Sequence, residues 1–121
     1  MMNIKTPTSI LFIFSLSVSA ITNPAYGLSK PENYVQLAFA AGSGKNCGLS
    51  VEESNKALSK IDFALKCEFK NGTLSESSLN SYLIGAERQF KKGRENPPTY
   101  PANVCKSILH LVRSLNKTNA C

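Results

Sequence analysis

Apolar residues recur at spacings of three and four in three successive segments, and that period restricts the chain to a helical fold. Leu58, Ile61, Leu65 and Phe69 form the first stripe, with Ala57 and Ala64 beside them. Leu79, Leu83, Ala86 and Phe90 form the second. The third is Val104, Ile108, Leu111 and Leu115, flanked by Cys105, Leu109 and Val112. A shorter stripe, Tyr34, Val35, Ala38 and Phe39, follows Pro31, a residue suited to a first helical turn.

Boundary residues agree with these stripes. Ser50-Val51-Glu52-Glu53 is a capping box: the serine oxygen accepts an early backbone N–H, and Glu53 reaches back to the Ser50 N–H. The helix it opens is expected to run to about Phe69, where Asn71-Gly72 tolerates left-handed backbone. Asn71-Gly72 also suits a two-residue β-hairpin, but its flanks repeat at three and four rather than two. Thr73-Leu74-Ser75-Glu76 repeats the capping-box spacing, and its helix is expected to stop at Lys91-Lys92-Gly93. Gly42-Ser43-Gly44-Lys45-Asn46 is expected to break the leading helix. Asn96-Pro97-Pro98-Thr99-Tyr100-Pro101 must be extended, because each proline pushes its predecessor out of helical space. The predicted fold is an all-α bundle of three main helices plus a short N-terminal helix.

Residues 1–27 have the order of a cleavable export signal. Lys5 lies near the amino terminus, Ile10 to Val18 is a short apolar run, and Ala25-Tyr26-Gly27 is a small-x-small site. Val18-Ser19-Ala20 is a second candidate site, but the stretch holding Pro24 then has no role. The run is shorter than the roughly 20 residues a membrane span needs. A periplasmic or secreted single domain over residues 28–121 is the expectation, with no membrane span after cleavage.

Removing 27 of the 121 residues leaves 94, a small core that benefits from covalent help. Cys47, Cys67, Cys105 and Cys121 are an even set, which in an exported chain predicts structural disulfides. Their gaps of 20, 38 and 16 residues match no metal knuckle, so no metal is expected, and no cofactor is expected because no complete cofactor loop is present. If helices two, three and four run up, down and up, the second and fourth are parallel. Cys47–Cys105 and Cys67–Cys121 would then clip those two helices at both ends.

Candidate chemistry is sparse. Gly42-Ser43-Gly44-Lys45 resembles part of a phosphate loop, but Phe39 stands where a glycine is required and Asn46 where Ser or Thr is. His110 is the single histidine, and Lys106, Ser107, Arg113 and Ser114 surround it on a polar helix face without a carboxylate to orient it. Glu52, Glu53 and Glu76 sit in first turns, where they complement the helix dipole. Asp62 with Lys66, and Glu87 with Lys91, are i, i+4 pairs. Asn71-Gly72-Thr73 and Asn116-Lys117-Thr118 match the glycosylation sequon.

The densest charge is Arg88, Lys91, Lys92 and Arg94, on a mature chain of 13 Lys and Arg against 8 Asp and Glu once Lys5 is set aside. Such a cluster can meet an anionic partner or simply solvate a helix end. Nucleic acid is not expected, because Tyr82 and Phe90 fall on the core side of their helix rather than forming a stacking platform. The reading is a non-enzymatic interaction module of the cell envelope or exterior: an inhibitor, chaperone or accessory protein. Its partner would be a protein or an anionic envelope component. The alternative is a small exported hydrolase whose carboxylates meet only in three dimensions.

Overall fold

A computed structural model describes residues 30–118. Four α-helices make up the fold among these residues: α1 (Pro31–Ser43), α2 (Val51–Lys70), α3 (Glu76–Glu95) and α4 (Ala102–Lys117). A 3-10 turn, Gly44–Cys47, joins α1 to α2. The all-α class is as expected. Residues 1–27, read above as an export signal, and Cys121 lie outside the described residues.

The leading helix is the centre of the molecule rather than an accessory. Leu37, Ala38, Ala40 and Ala41 are fully buried, and Tyr34 and Phe39 nearly so. Because α1 packs against α3, α2 and α4, its whole C-terminal half is covered. A helix apolar all round belongs in a core. Ile61 and Leu65 of α2, Ala86 and Phe90 of α3, and Ile108, Leu111, Val112 and Leu115 of α4 complete that core. Phe69, placed by its spacing on the buried stripe of α2, is 42% exposed.

Two glycines expected to break helices instead lie inside them. α1 continues through Gly42 to Ser43, and α3 continues past Gly93 to Glu95. Both are buried where the two helices cross. A Cβ on Gly42 would stand 2.1 Å from the Phe90 carbonyl oxygen, and one on Gly93 2.6 Å from that of Phe39. Glycine is therefore selected here for close approach, and the crossing supplies packing that offsets its poor helix propensity.

Local capping chemistry sets the other ends. The capping box at Ser50 is complete: Glu53 N–H donates to Ser50 Oγ and Ser50 N–H to Glu53 Oε1, each at 3.0 Å. The next helix departs from the expected pattern. Its N-cap is Ser75, whose Oγ accepts the Ser78 N–H, while the Thr73 hydroxyl turns back to the Glu68 carbonyl. Gly72, at φ +83°, makes the turn between α2 and α3, a conformation costly for other residues.

Three long-range contacts fix the direction of α4. Cys47 is bonded to Cys105, Glu53 binds Arg113, and the Lys60 ammonium donates to the Thr118 carbonyl. Their sequence separations are 58, 60 and 58. A near-constant offset means that α2 and α4 run in the same direction, as the cysteine argument required. The Cys47–Cys105 bridge, with Cα atoms 5.0 Å apart, ties the 3-10 turn to the first turn of α4. No described cysteine is a free thiol. The Cys67–Cys121 expectation has one end outside the described residues.

Candidate functional site

The face of α3 that meets α1 carries Ala86, Phe90 and Gly93. At 3.6 residues per turn, Arg88, Lys91 and Lys92 fall on the opposite side, and all three are exposed. Among the described residues none of them takes part in an ion pair; Glu53–Arg113 does. The three cations thus share one outward stripe.

Arg94 does not join them. Because α3 continues through Gly93, Arg94 is carried round toward α2. Its guanidinium lies 4.5 Å over the Phe90 ring, and Nη2 donates to Asn55 Oδ1 at 2.6 Å. That geometry suits a cation–π contact combined with a hydrogen bond. The expected four-residue patch is therefore three residues plus an arginine committed to the α2–α3 seam.

The α2–α4 junction is built on Glu53. Arg113 Nε donates to Glu53 Oε2 at 2.7 Å, and the Asn116 amide donates to the Glu53 carbonyl at 3.0 Å. The hydrogen bond from Arg113, aided by the Ser50 N–H, holds the Glu53 carboxyl well down, at about 2. This group is structural. Among the described residues, Asn116 Oδ1 is buried without a hydrogen-bond partner. The Asn116 sequon thus has its side-chain amide engaged, whereas Asn71 is exposed.

The remaining candidates take plain roles. His110 is exposed, and Gly42 and Ser43 are buried in a helix rather than arranged as a loop around a phosphate. The Ser43 hydroxyl donates to the Phe39 carbonyl at 2.8 Å and lies 2.8 Å from the Tyr100 hydroxyl. With its proton directed to Phe39, Ser43 accepts from Tyr100, which fastens the proline linker to α1. Burial pushes the Tyr100 phenol up, against the pull of this bond. Burial likewise pushes up the Asp62 carboxyl; the charge of Lys66 opposes the shift and that of Glu87 adds to it. Neither expected i, i+4 pair, Asp62 with Lys66 or Glu87 with Lys91, closes as an ion pair among the described residues.

Spacing alone did not single out Phe63. It is 52% exposed on the outward side of α2, and Ile84 is 55% exposed on the outward side of α3. A signal was present: neither residue falls on its helix's apolar stripe. No family model, curated protein or solved structure matches the chain.

Proposed function

We propose that this protein is an exported, non-enzymatic binding module of the cell envelope or exterior that engages an anionic partner. The observation that carries this reading is the stripe of Arg88, Lys91 and Lys92, exposed on the side of α3 turned away from the core. Cations held together on one helix face raise the local positive potential that an anionic partner meets. The dipole effect fades within the last turn, and Arg88 lies well before the end of α3 at Glu95.

Two disulfides, Cys47–Cys105 and Cys67–Cys121, would make such a small module durable outside the cell. Among the described residues no helix is long and apolar enough to cross a membrane. Affinity capture from the native compartment, with the oxidised mature domain as bait, tests the proposal. Lys91→Glu with Lys92→Glu should weaken capture of the partner while leaving the helical signal intact. Capture should also weaken as salt rises, because exposed charges are screened over about 8–10 Å at physiological salt. Unchanged capture by the variant would return the cluster to a helix terminus.

One observation bears on the hydrolase reading: Asp62, with its raised carboxyl, lies within electrostatic reach of Glu87. A hydrolytic activity abolished by Asp62→Asn would favour that reading over the binding module.

A further inference from the structure

The outward sides of α2 and α3 combine into one surface, and their register can be read from one hydrogen bond and one electrostatic coupling across the seam. Arg94 meets Asn55, and the charge of Glu87 acts on Asp62. In both pairs the residue numbers add to the same value, so the helices run antiparallel in a fixed register. Ile84 then stands level with Leu65, and Phe63 level with Ala86. Phe63 and Ile84 differ in height by two residues, about 3 Å at 1.5 Å per residue.

Asn55 and Asp62 mark the side of α2 that faces α3; Arg94 and Glu87 mark the reciprocal side. Counting 3.6 residues per turn, Phe63 points about a quarter turn away from that seam, and Ile84 slightly less. The opposite chain directions bring both rotations to the same side of the helix pair. Two exposed apolar side chains therefore share one face. Lys56 and Lys66 flank Phe63 along α2, and Arg88 and Lys91 flank Ile84 along α3; all four are exposed. Glu52 and Glu95 stand together at one end of this face, and Asp62 and Glu87 lie in the seam, so the four cations Lys56, Lys66, Arg88 and Lys91 surround the apolar pair.

We propose that this face docks on an anionic phospholipid surface, an inference that rests on the binding reading above and names the partner's chemistry. Lysine is depleted from the cores of protein–protein interfaces, whereas this face relies on it. Lysine stems lie along an apolar boundary with their ammonium groups among lipid phosphates. Phe63 and Ile84 supply the shallow apolar insertion, and the cations supply attraction to the headgroups. A bilayer surface also requires no matching pocket on the protein.

Flotation of the oxidised protein with vesicles tests this. It should bind vesicles of phosphatidylcholine mixed with phosphatidylglycerol, release as salt rises, and ignore vesicles of phosphatidylcholine alone. Lys66→Gln or Arg88→Gln should each lower partitioning about fivefold. Phe63→Ser with Ile84→Ser should lower it at least about tenfold at unchanged net charge. Lys106→Gln, on α4, should leave it unchanged, and circular dichroism of each variant should match the parent. Absence of binding to the anionic vesicles, or an equal loss with Lys106→Gln, overturns the proposal. If vesicles fail while salt-sensitive capture through Lys91 and Lys92 persists, the face meets an acidic protein and the lipid inference alone falls. If both fail, the binding-module reading falls with it.

Discussion

Gly42 and Gly93 stand at the crossing where α1 and α3 meet backbone to backbone. A methyl group on the first would overlap the Phe90 carbonyl, and one on the second the Phe39 carbonyl. The obstacles are main-chain atoms in helices, which cannot swing aside as a flexible side chain can. Gly42→Ala and Gly93→Ala should each destabilise the domain by about 1–3 kcal/mol despite alanine's better helix propensity. Gly85→Ala is the control. Its added Cβ would meet Val35 at an ordinary 3.8 Å, so that variant should gain up to about 1 kcal/mol. Urea midpoints of the three variants check the contrast, and equal effects at all three sites would contradict it.

The Cys47–Cys105 bridge spans a sequence separation of 58 residues. In the chain-entropy model a loop of that length is worth about 4 kcal/mol. Cys47→Ser with Cys105→Ser should lower the thermal midpoint sharply while leaving the helical signal at low temperature. Non-reducing peptide mapping should recover the Cys47–Cys105 pair, together with Cys67–Cys121 if the second expectation holds.

Stability should fall off at both ends of the pH scale. The Glu53 carboxyl is held at about 2 against an ordinary 4.5. A depressed folded value means its contribution is complete above pH 4.5 and is lost as pH falls toward 2. Burial pushes the Tyr34 phenol from 10.0 to about 12, with the nearby charge of Glu68 adding to the shift. Here the unfolded chain ionises first, so stability declines as pH rises from 10 toward 12. Tyr100 acts in the same direction. Urea titrations across pH should show both limbs, and Glu53→Gln should flatten the acid limb alone.

Tyr100→Phe removes the donor to Ser43 but leaves the bond from Ser43 to the Phe39 carbonyl. The expected loss is about 1 kcal/mol. It should be accompanied by faster amide exchange in the proline linker, since Tyr100 fastens that segment to α1. Ser43→Ala should cost at least as much, because it removes both the bond with Tyr100 and the one to the Phe39 carbonyl. Hydrogen exchange on the two variants distinguishes a linker effect from global unfolding.

The amino-acid sequence alone determined the helical class, the complete capping box at Ser50 and the extended proline segment, whereas the Cys47–Cys105 pairing followed only once α2 and α4 were found to run in the same direction. Each of the three rests on residues a few positions apart. Tertiary structure decided what depends on residues distant in the chain. Gly42 and Gly93 read locally as helix stops, yet packing against Phe90 and Phe39 keeps both inside helices. Extending α3 through Gly93 turned Arg94 toward Asn55, out of the cluster its neighbours form. The run Leu37-Ala38-Phe39-Ala40-Ala41 did carry a sign of central burial, but its shortness masked the role of α1. Thr73 reads as the cap by its spacing to Glu76, but its hydroxyl turns back to Glu68 and Ser75 caps the helix instead. Period and caps are local free energies and can be read along the chain. Which face lies inside, and which cations remain outside, is set by helices that meet only once the chain has folded.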